Sequence, residues 1–292
     1  MPGRISELIW NRMSTPFLKD HALAASITEP VPDGALRLWW LGQSGYLLRF
    51  SDRTILVDPY LSDSLTNKYA GTDKPHVRMT ELVIQPRKLT GIDIVTSSHN
   101  HTDHLDAETL KPLLAVNPNI EFIIPEANRS FVAQRLGIAE RGPIGLDDGT
   151  AAAVAGLEFH GIAAAHNEID RDGSGRCLYL GYVIKRGRWT IYHSGDTLLY
   201  PGLAEKVRAF APIDLALLPI NGNRPERRVA GNLNGRDAAE LAQAMGAGLV
   251  VPCHYDTFEF NTADPRDLFI PSCEAIGQPY RVLHAGEPLL LS

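Results

Sequence analysis

Four side chains that can bind a metal ion occur within six consecutive residues of this chain. They are His99, His101, Asp103 and His104. A run typical of a strand, Ile92–Thr96, precedes them, and a run typical of a helix, Ala107–Leu114, follows them. Imidazole and carboxylate groups packed this closely repel one another and lose hydration, and a bound metal compensates for both costs. We therefore expect a fold that carries a metal site at the end of a strand.

The spacing within this cluster fits two ions better than one. His99 and His101 alternate along an extended segment, so their side chains point to the same side. Asp103 and His104 lie beyond the turn and can face a second ion. The alternative is a polar loop that is rich in histidine and binds no metal.

The pattern His-x-His-x-Asp-His after a strand resembles the signature of the metallo-β-lactamase superfamily. That resemblance implies further ligands downstream, and the chain supplies them in order as His166, Asp196 and His254. The resemblance assigns one ion to three histidines, His99, His101 and His166. It assigns the other ion to Asp103, His104 and His254, with Asp196 as the bridge between the two ions. Four separate segments of the chain agree with the signature.

The implied ligand set predicts the class of reaction. No cysteine is among the ligands, so zinc, manganese and iron all suit the site. Two divalent ions would hold a water molecule between them and lower its pKa from about 15.7 to about 7. They would also polarise the carbonyl or phosphoryl group under attack. The expected reaction is metal-assisted hydrolysis, in which Asp196 and Asp103 are the catalytic carboxylates and Asp103 can orient the attacking group or carry its proton.

Other polar residues near these segments have weaker signals. The resemblance makes Asp58, at the end of a strand-like run, a residue that orients a ligand histidine. An aspartate that begins a turn is the equal alternative. His160 and His193 are predicted to be ordinary core or supporting histidines, and His76 has no ligand context. The turn Gly42–Gly45 could face the site, but a plain hairpin is the preferred interpretation.

A basic loop at 221–228 is the candidate substrate-binding segment. It lies between a strand and the helix that precedes His254, and such loops commonly contact substrates. Arg224, Arg227 and Arg228 are predicted to clamp a phosphate or carboxylate group, with Arg224 and Arg228 as the named substrate-binding residues, since guanidinium groups bind such anions through two hydrogen bonds. The alternative is a solvated basic loop.

The order of predicted elements indicates an α/β fold. Strands are predicted at 35–41, 45–50 and 54–58 in the first half, and at 152–165, 178–185 and 189–193 in the second. Each set is followed by alternating strands and helices, with a loop at 62–75 and a closing β segment at 281–291. Two similar halves suggest sheets packed face to face with helices outside. This is also the four-layer αββα sandwich that the resemblance implies.

The domain organisation is predicted from the spacing of apolar residues and from the segments that interrupt regular structure. Residues 1–34 are predicted to form a helical lead-in, because Ile5, Leu8, Ile9 and Met13 have helix-like spacing and the segment 30–34 breaks the chain. Residues 35–292 are predicted to form one hydrolase domain of the metallo-β-lactamase fold, since no linker separates the halves.

The composition of the chain limits the classes of molecule that it is expected to bind. A net charge of −6 argues against a nucleic-acid surface, although a local cluster of arginines can still hold a small anion. No apolar run reaches the roughly 20 residues of a membrane span, and no signal peptide is recognisable. The three widely spaced cysteines indicate reduced thiols. We expect a cytoplasmic protein with a small anionic substrate and no nucleic-acid or membrane partner; the sequence leaves a homo-oligomer open.

Segments outside the metal ligands resemble the L-ascorbate-6-phosphate lactonase group. They are Trp39–Gly45, Tyr192–Thr197, Ile213–Leu217, Val250–Asp256 and Asn261–Pro265. The resemblance implies a cytoplasmic, manganese-favouring enzyme that opens a phosphorylated sugar lactone. Those lactonases have an acidic residue near the place of His166, so the fuller histidine set here suits zinc as well. The expected function is a lactonase acting on a substrate such as L-ascorbate 6-phosphate, and the alternative is a dinuclear phosphodiesterase acting on a small phosphodiester.

Overall fold

The structure, a computed structural model, describes residues 13–292 of the chain. The elements of the first half are α1 (Asp20–Thr28), β1 (Leu36–Gly42), β2 (Gly45–Arg49), β3 (Thr54–Val57), α2 (Ser64–Tyr69), β4 (Ile94–Thr96), α3 (Ala107–Val116), β5 (Glu121–Pro125), α4 (Arg129–Leu136) and β6 (Ile144–Leu146). Those of the second half are β7 (Ala151–Val154), β8 (Leu157–Ala163), β9 (Leu180–Arg186), β10 (Trp189–His193), α5 (Leu203–Arg208), β11 (Ile213–Pro219), α6 (Gly235–Met245), β12 (Ala247–Cys253), α7 (Phe269–Ile276) and β13 (Pro288–Leu291). Short 3₁₀ turns lie at Pro86–Lys88, Glu126–Asn128 and Pro225–Arg227.

Two β-sheets repeat one plan. Within the described residues, one sheet has the strand order β13-β1-β2-β3-β4-β5-β6 and the other has the order β12-β11-β10-β9-β8-β7. In the first sheet β1, β2 and β3 pair antiparallel, and β4, β5 and β6 continue it in parallel. In the second, antiparallel pairing from β7 to β10 gives way to parallel pairing of β10, β11 and β12. The prediction of two similar halves is confirmed.

The inner faces of the two sheets share one hydrophobic core. Leu47 and Ile55 of the first sheet and Phe159 and Ile191 of the second are all buried in it. Hydrogen bonds also cross between the sheets: the Tyr46 hydroxyl on β2 donates to the carbonyl of Pro252 on β12 at 2.7 Å. The predicted αββα sandwich is therefore confirmed. No helix in the described part of the chain is both long and apolar enough to cross a bilayer.

Two helix starts hold the segments that carry the metal-binding residues. Asp106 caps α3 by accepting hydrogen bonds from the backbone N–H of Glu108 and Thr109, directly after the histidine cluster. Its carboxylate also accepts from the hydroxyls of Ser62 at 2.6 Å and Ser64 at 2.9 Å, which ties the α2 segment to the cluster. On the other side, Asn234 and Asp237 form a capping box at the start of α6, the helix that leads into β12.

Several predicted elements differ from the structure. The predicted loop at 62–75 contains the helix α2, and the predicted strand at 152–165 is the hairpin β7–β8, with Ala155 and Gly156 at positive φ in its turn. Only Pro288–Leu291 of the closing segment is a strand, and the helices α5 and α7 were not predicted. In the lead-in the helix is α1, and Met13 lies before it. Ile5, Leu8 and Ile9 lie outside the described residues, and the division at residue 34 stays a prediction.

The bond between the sheets generates a stability prediction. Tyr46→Phe removes the donor to the buried carbonyl of Pro252, so the free energy of unfolding should fall by about 1–2 kcal/mol in urea denaturation. Tyr280→Phe is the matched control, because the Tyr280 hydroxyl bonds to Glu274 at the exposed surface. It should change the free energy of unfolding by less than about 0.5 kcal/mol. Equal effects of the two substitutions would show that the contact across the sheets adds no stability.

Candidate metal centre

The structure brings all seven predicted ligand side chains together, and each follows the end of a strand. His99, His101, Asp103 and His104 follow β4, His166 follows β8, Asp196 follows β10 and His254 follows β12. Parallel pairing aligns the ends of the later strands: Leu217 on β11 lies opposite His193 on β10, and Pro219 lies opposite Cys253 on β12. The site therefore lies where strand ends of both sheets meet.

The seven side chains form two groups. In what we call the histidine group, one nitrogen each of His99, His101 and His166 lies within 4.8 Å of the others. In the mixed group the same limit holds for ligand atoms of Asp103, His104, Asp196 and His254. Asp196 connects the groups, because one of its carboxylate oxygens lies 3.6 Å from His166 Nε2 and 3.3 Å from His254 Nε2. This grouping matches the one that the resemblance implies.

The donor atoms fit divalent metal ions. His99 Nε2 is buried and has no hydrogen-bond partner among residues 13–292, and His104 Nε2 is buried with an Asp196 oxygen 3.3 Å away. In two members of the histidine group the Nδ1 atom has a hydrogen-bond partner. His99 Nδ1 lies 3.0 Å from Ser98 Oγ, and His166 Nδ1 lies 2.9 Å from the carbonyl oxygen of Gly231. A metal-binding imidazole is typically held in this way through its second nitrogen. Buried acceptors without a donor are costly unless a cation satisfies them.

Asp58 orients one of these imidazoles. Its carboxylate accepts from His104 Nδ1 at 2.7 Å, from Thr96 Oγ1 at 3.0 Å, and from the backbone N–H and hydroxyl of Ser98. Burial opposes ionisation of Asp58, but the His104 hydrogen bond and the nearby His193 hold its pKa below the usual value. Asp58 also has a positive φ of 43° at the end of β3. It therefore begins a turn and orients a histidine, so both interpretations of this residue apply.

The two groups differ in charge. Burial lowers the pKa values of His99, His101 and His166, and neighbouring imidazoles act in the same direction, so these rings are neutral and able to bind metal. In the mixed group, burial would lower the pKa of His254, but Asp196 and Asp103 raise it to about 9. Burial opposes the negative charge on Asp103 and Asp196. The nearby His104 and His254 nevertheless keep the pKa values of these two carboxyls below normal. The mixed group thus balances two anions against two imidazoles.

The turn Gly42–Gly45 faces the site, contrary to the preferred interpretation as a plain hairpin. Gln43 Nε2 donates to Asp103 Oδ2 at 2.7 Å, and Ser44 Oγ lies 3.4 Å from an Asp196 oxygen. His193 supports the same turn, since its Nε2 lies 3.0 Å from the Ser44 carbonyl oxygen. The sequence signal was present: a glutamine and a serine lie between strands whose other residues are almost all apolar.

A cavity of about 410 Å³ opens onto both groups. Its apolar side is lined by Leu65, Tyr69, His76, Val229, Phe258 and Phe260. Its cationic side chains are Lys68, Arg135 and Arg228. His76, which had no ligand context in the sequence, stacks on Tyr69 with ring centroids 4.2 Å apart. Sequence reasoning missed Lys68 and Tyr69 because they belong to the unpredicted helix α2.

The three arginines of the predicted clamp lie in different surroundings, so they do not form one clamp. Arg228 lines the cavity and pairs with Asp73 at its exposed rim. Arg224 instead lines a different cavity, next to Asp264 and Asp267. Arg227, between them, is buried and donates to the carbonyl oxygens of Asn221 and Thr262, so it supports the loop. Because the loop turns through a left-handed residue at Arg228, successive arginines point to different surroundings.

Removal of the connecting carboxylate should show in the metal content. Asp196→Ala takes a charged ligand from the mixed group and its link to the histidine group. Bound metal per chain should therefore fall to about half or less of that of the unsubstituted protein, measured by mass spectrometry of the dialysed protein. His160→Gln is the control, since His160 is a partly exposed histidine of β8 that bonds to Glu158. An unchanged metal content in Asp196→Ala would reject this assignment.

Comparison with known proteins agrees with this geometry. A family model described as a β-lactamase superfamily domain matches residues 53–255. Among curated relatives, a UPF0173 metal-dependent hydrolase of Pelotomaculum thermopropionicum is 28% identical, over 88% of this chain and 100% of its own length.

Solved structures share the fold. A metallo hydrolase from Ignicoccus hospitalis superposes with a TM-score of 0.64 at 23% identity, covering 88% of this chain and 99% of its own. An isothiocyanate hydrolase from Delia radicum gut bacteria has a TM-score of 0.68 at 20% identity and covers 87% and 98%. At these identities the structures support the fold alone. The family match extends from the start of β3 to just beyond His254 and includes every predicted ligand. The chain therefore belongs to the metallo-β-lactamase superfamily.

Proposed function

We propose that this protein is a metal-dependent hydrolase that opens a small anionic lactone, with a phosphorylated sugar lactone such as L-ascorbate 6-phosphate as the first candidate. The observation that carries the proposal is the cavity of about 410 Å³, which joins two groups of metal-binding side chains to three cationic ones. A cavity of this size suits a small molecule. The curated relatives named metal-dependent hydrolases support the reaction class.

The reaction depends on ions held by the histidine group and the mixed group. Divalent ions there would supply Lewis-acid activation of water and of the substrate oxygen under attack. The chain positions the other participants. Asp103 lines the cavity with a side chain that is 17% exposed, and Gln43 holds one of its oxygens. Because its neighbours keep Asp103 ionised, its carboxylate can accept a hydrogen bond from the attacking water and orient it.

Cationic side chains favour an anionic substrate. Arg228 is paired with Asp73, but both groups are largely exposed, and exposed ion pairs contribute little free energy. Arg228 can therefore exchange Asp73 for a phosphate or carboxylate of the substrate at small cost. Arg135 lies at another side of the cavity, anchored through the carbonyl oxygens of Asn100 and Leu105. These cations give a net negative protein a local site for an anion.

An aromatic wall faces the space above the ligands. His76 stacks on Tyr69 and has Phe260 and Phe258 at its edge, with ring centroids 4.4 Å and 5.2 Å away. Aromatic faces and edges pack well against the carbon skeleton of a small ring. This wall supports a cyclic substrate such as a lactone. The cations alone suit a small phosphodiester equally well, so that substrate remains the alternative.

A substrate panel tests the proposal. Metal-free protein is reloaded with manganese or with zinc, and hydrolysis of L-ascorbate 6-phosphate is compared with that of an uncharged sugar lactone and a small phosphodiester. We expect kcat/KM for the phosphorylated lactone to exceed that for the uncharged lactone by at least about tenfold, the effect of one charge-assisted contact. Turnover of the phosphodiester alone would establish the alternative. No turnover of any lactone by protein with bound metal would reject the lactonase.

The two arginines provide a matched pair of variants. Arg228→Ala removes the cation at the cavity rim, so KM for a phosphorylated substrate should rise about tenfold while KM for an uncharged lactone stays the same. Arg224→Ala removes an arginine of the same loop that lines another cavity, and both KM values should be unchanged. Equal responses of the two substrates to Arg228→Ala would show that Arg228 does not bind the anion.

A further inference from the structure

We propose that Gln43 is a further ligand of the mixed group, through its side-chain carbonyl oxygen, and that it biases this group toward manganese over zinc. The inference rests on the proposed metal-dependent function. It goes beyond the seven ligands in the superfamily's pattern, because Gln43 belongs to the turn between β1 and β2, far from the signature segments.

The backbone of Gln43 is fixed in an unusual conformation. Its φ is +49°, a left-handed value that costs free energy for a residue other than glycine. Three hydrogen bonds hold it there: its N–H donates to Thr257 Oγ1 at 2.9 Å, and its carbonyl oxygen accepts from the N–H of His254 at 2.9 Å and from Trp40 Nε1 at 2.9 Å. The turn and the ligand His254 are therefore placed by the same contacts.

The side chain of Gln43 points into the mixed group. It is 1% exposed, and its Nε2 lies 2.7 Å from Asp103 Oδ2 and 3.1 Å from His254 Nε2. Its Oε1 is buried and has no hydrogen-bond partner within residues 13–292. An unpaired buried amide oxygen costs about 1–3 kcal/mol. The amide thus places an N–H donor between two ligand atoms while its better metal-binding atom is unused.

A bound cation would favour the opposite orientation of the Gln43 amide, with Oε1 rather than Nε2 toward the mixed group. A cation bound to His254 Nε2 takes the lone pair of that nitrogen, so His254 Nε2 cannot then accept a hydrogen bond from the amide N–H. A half-turn of the terminal amide exchanges Nε2 and Oε1 with almost no change in shape. The carbonyl oxygen then faces the cation, which satisfies the orphaned atom. The amide gives up its hydrogen bond to Asp103, whose carboxylate is then held by the same cation.

The added oxygen has a consequence for metal choice. Carbonyl and carboxylate oxygens suit manganese, whereas zinc is usually satisfied by four tetrahedral ligands. Asp103, His104, Asp196 and His254 already supply four residues for such a zinc site. A fifth donor from Gln43 is therefore worth more to manganese than to zinc. Loss of Gln43 should weaken the binding of both metals unequally.

The test measures the affinity of metal-free, full-length protein for manganese and, separately, for zinc by equilibrium dialysis. Gln43→Leu, which has no oxygen, should weaken manganese binding at one of the two sites by about tenfold or more. Zinc binding should weaken less, so the ratio of the two dissociation constants changes. Gln43→Glu, which keeps an oxygen at this position, should restore manganese binding. Manganese electron paramagnetic resonance of the same samples should change in Gln43→Leu and return in Gln43→Glu.

Controls separate the possible failures. Gln278→Leu truncates a buried glutamine that bonds only to backbone carbonyls, so it tests for general destabilisation and should leave both affinities unchanged. Equal loss of manganese and zinc affinity in Gln43→Leu would mean that Gln43 only positions Asp103, and no loss would remove its role altogether. Either result overturns this inference and leaves the proposed function intact. Failure of the unsubstituted protein to bind any metal would overturn both.

Discussion

The pairing of buried charges in the mixed group is the interaction on which the rest of the site depends. Asp103 and Asp196 lie 3.3–3.7 Å from the imidazole nitrogens of His104 and His254; Asp196 is buried, and Asp103 is partly exposed to the cavity. The buried Asp196 could not stay charged there without such partners, because an isolated buried charge is too costly. The surrounding backbone is bent to keep the partners in place. Asp58, Gln43 and His254 all have positive φ values, and each of them directly contacts this group or belongs to it.

The two sheets contribute differently to this arrangement. The first sheet supplies the dense cluster after β4 together with two supports, Asp58 after β3 and Gln43 after β1. The second sheet supplies single ligands at the ends of β8, β10 and β12. The candidate metal-binding residues thus come from strand ends, whereas the cavity walls come from α2, from α4 and from loops. The residues that would hold metal and those that would contact the substrate therefore lie on different parts of the chain.

The ligands could be predicted from the sequence because their residue types are specific and their order along the chain is fixed by the fold. The cavity walls could not. Helix α2 has the sequence Ser-Leu-Thr-Asn-Lys-Tyr and buries only Leu65, so it has no apolar periodicity to reveal it. The β7–β8 hairpin was hidden for a related reason, since Ala155 occupies a turn position that usually requires glycine or asparagine. The division of Arg224 from Arg228 depends on loop conformation, which composition does not determine.

The convergence of the four strand-end segments that carry the predicted ligands has a thermodynamic consequence. In the unfolded chain His99 and His254 are separated by more than half of the sequence, so a complete ligand set exists only in the folded protein. An ion that binds only the folded chain stabilises it by about 2.7 kcal/mol when its free concentration is 100 times its dissociation constant. The two sheets would then be cross-linked through their strand ends, much as a disulfide joins distant segments, but reversibly. For such a protein, the free concentration of the metal sets the stability of the fold as well as the occupancy of the site.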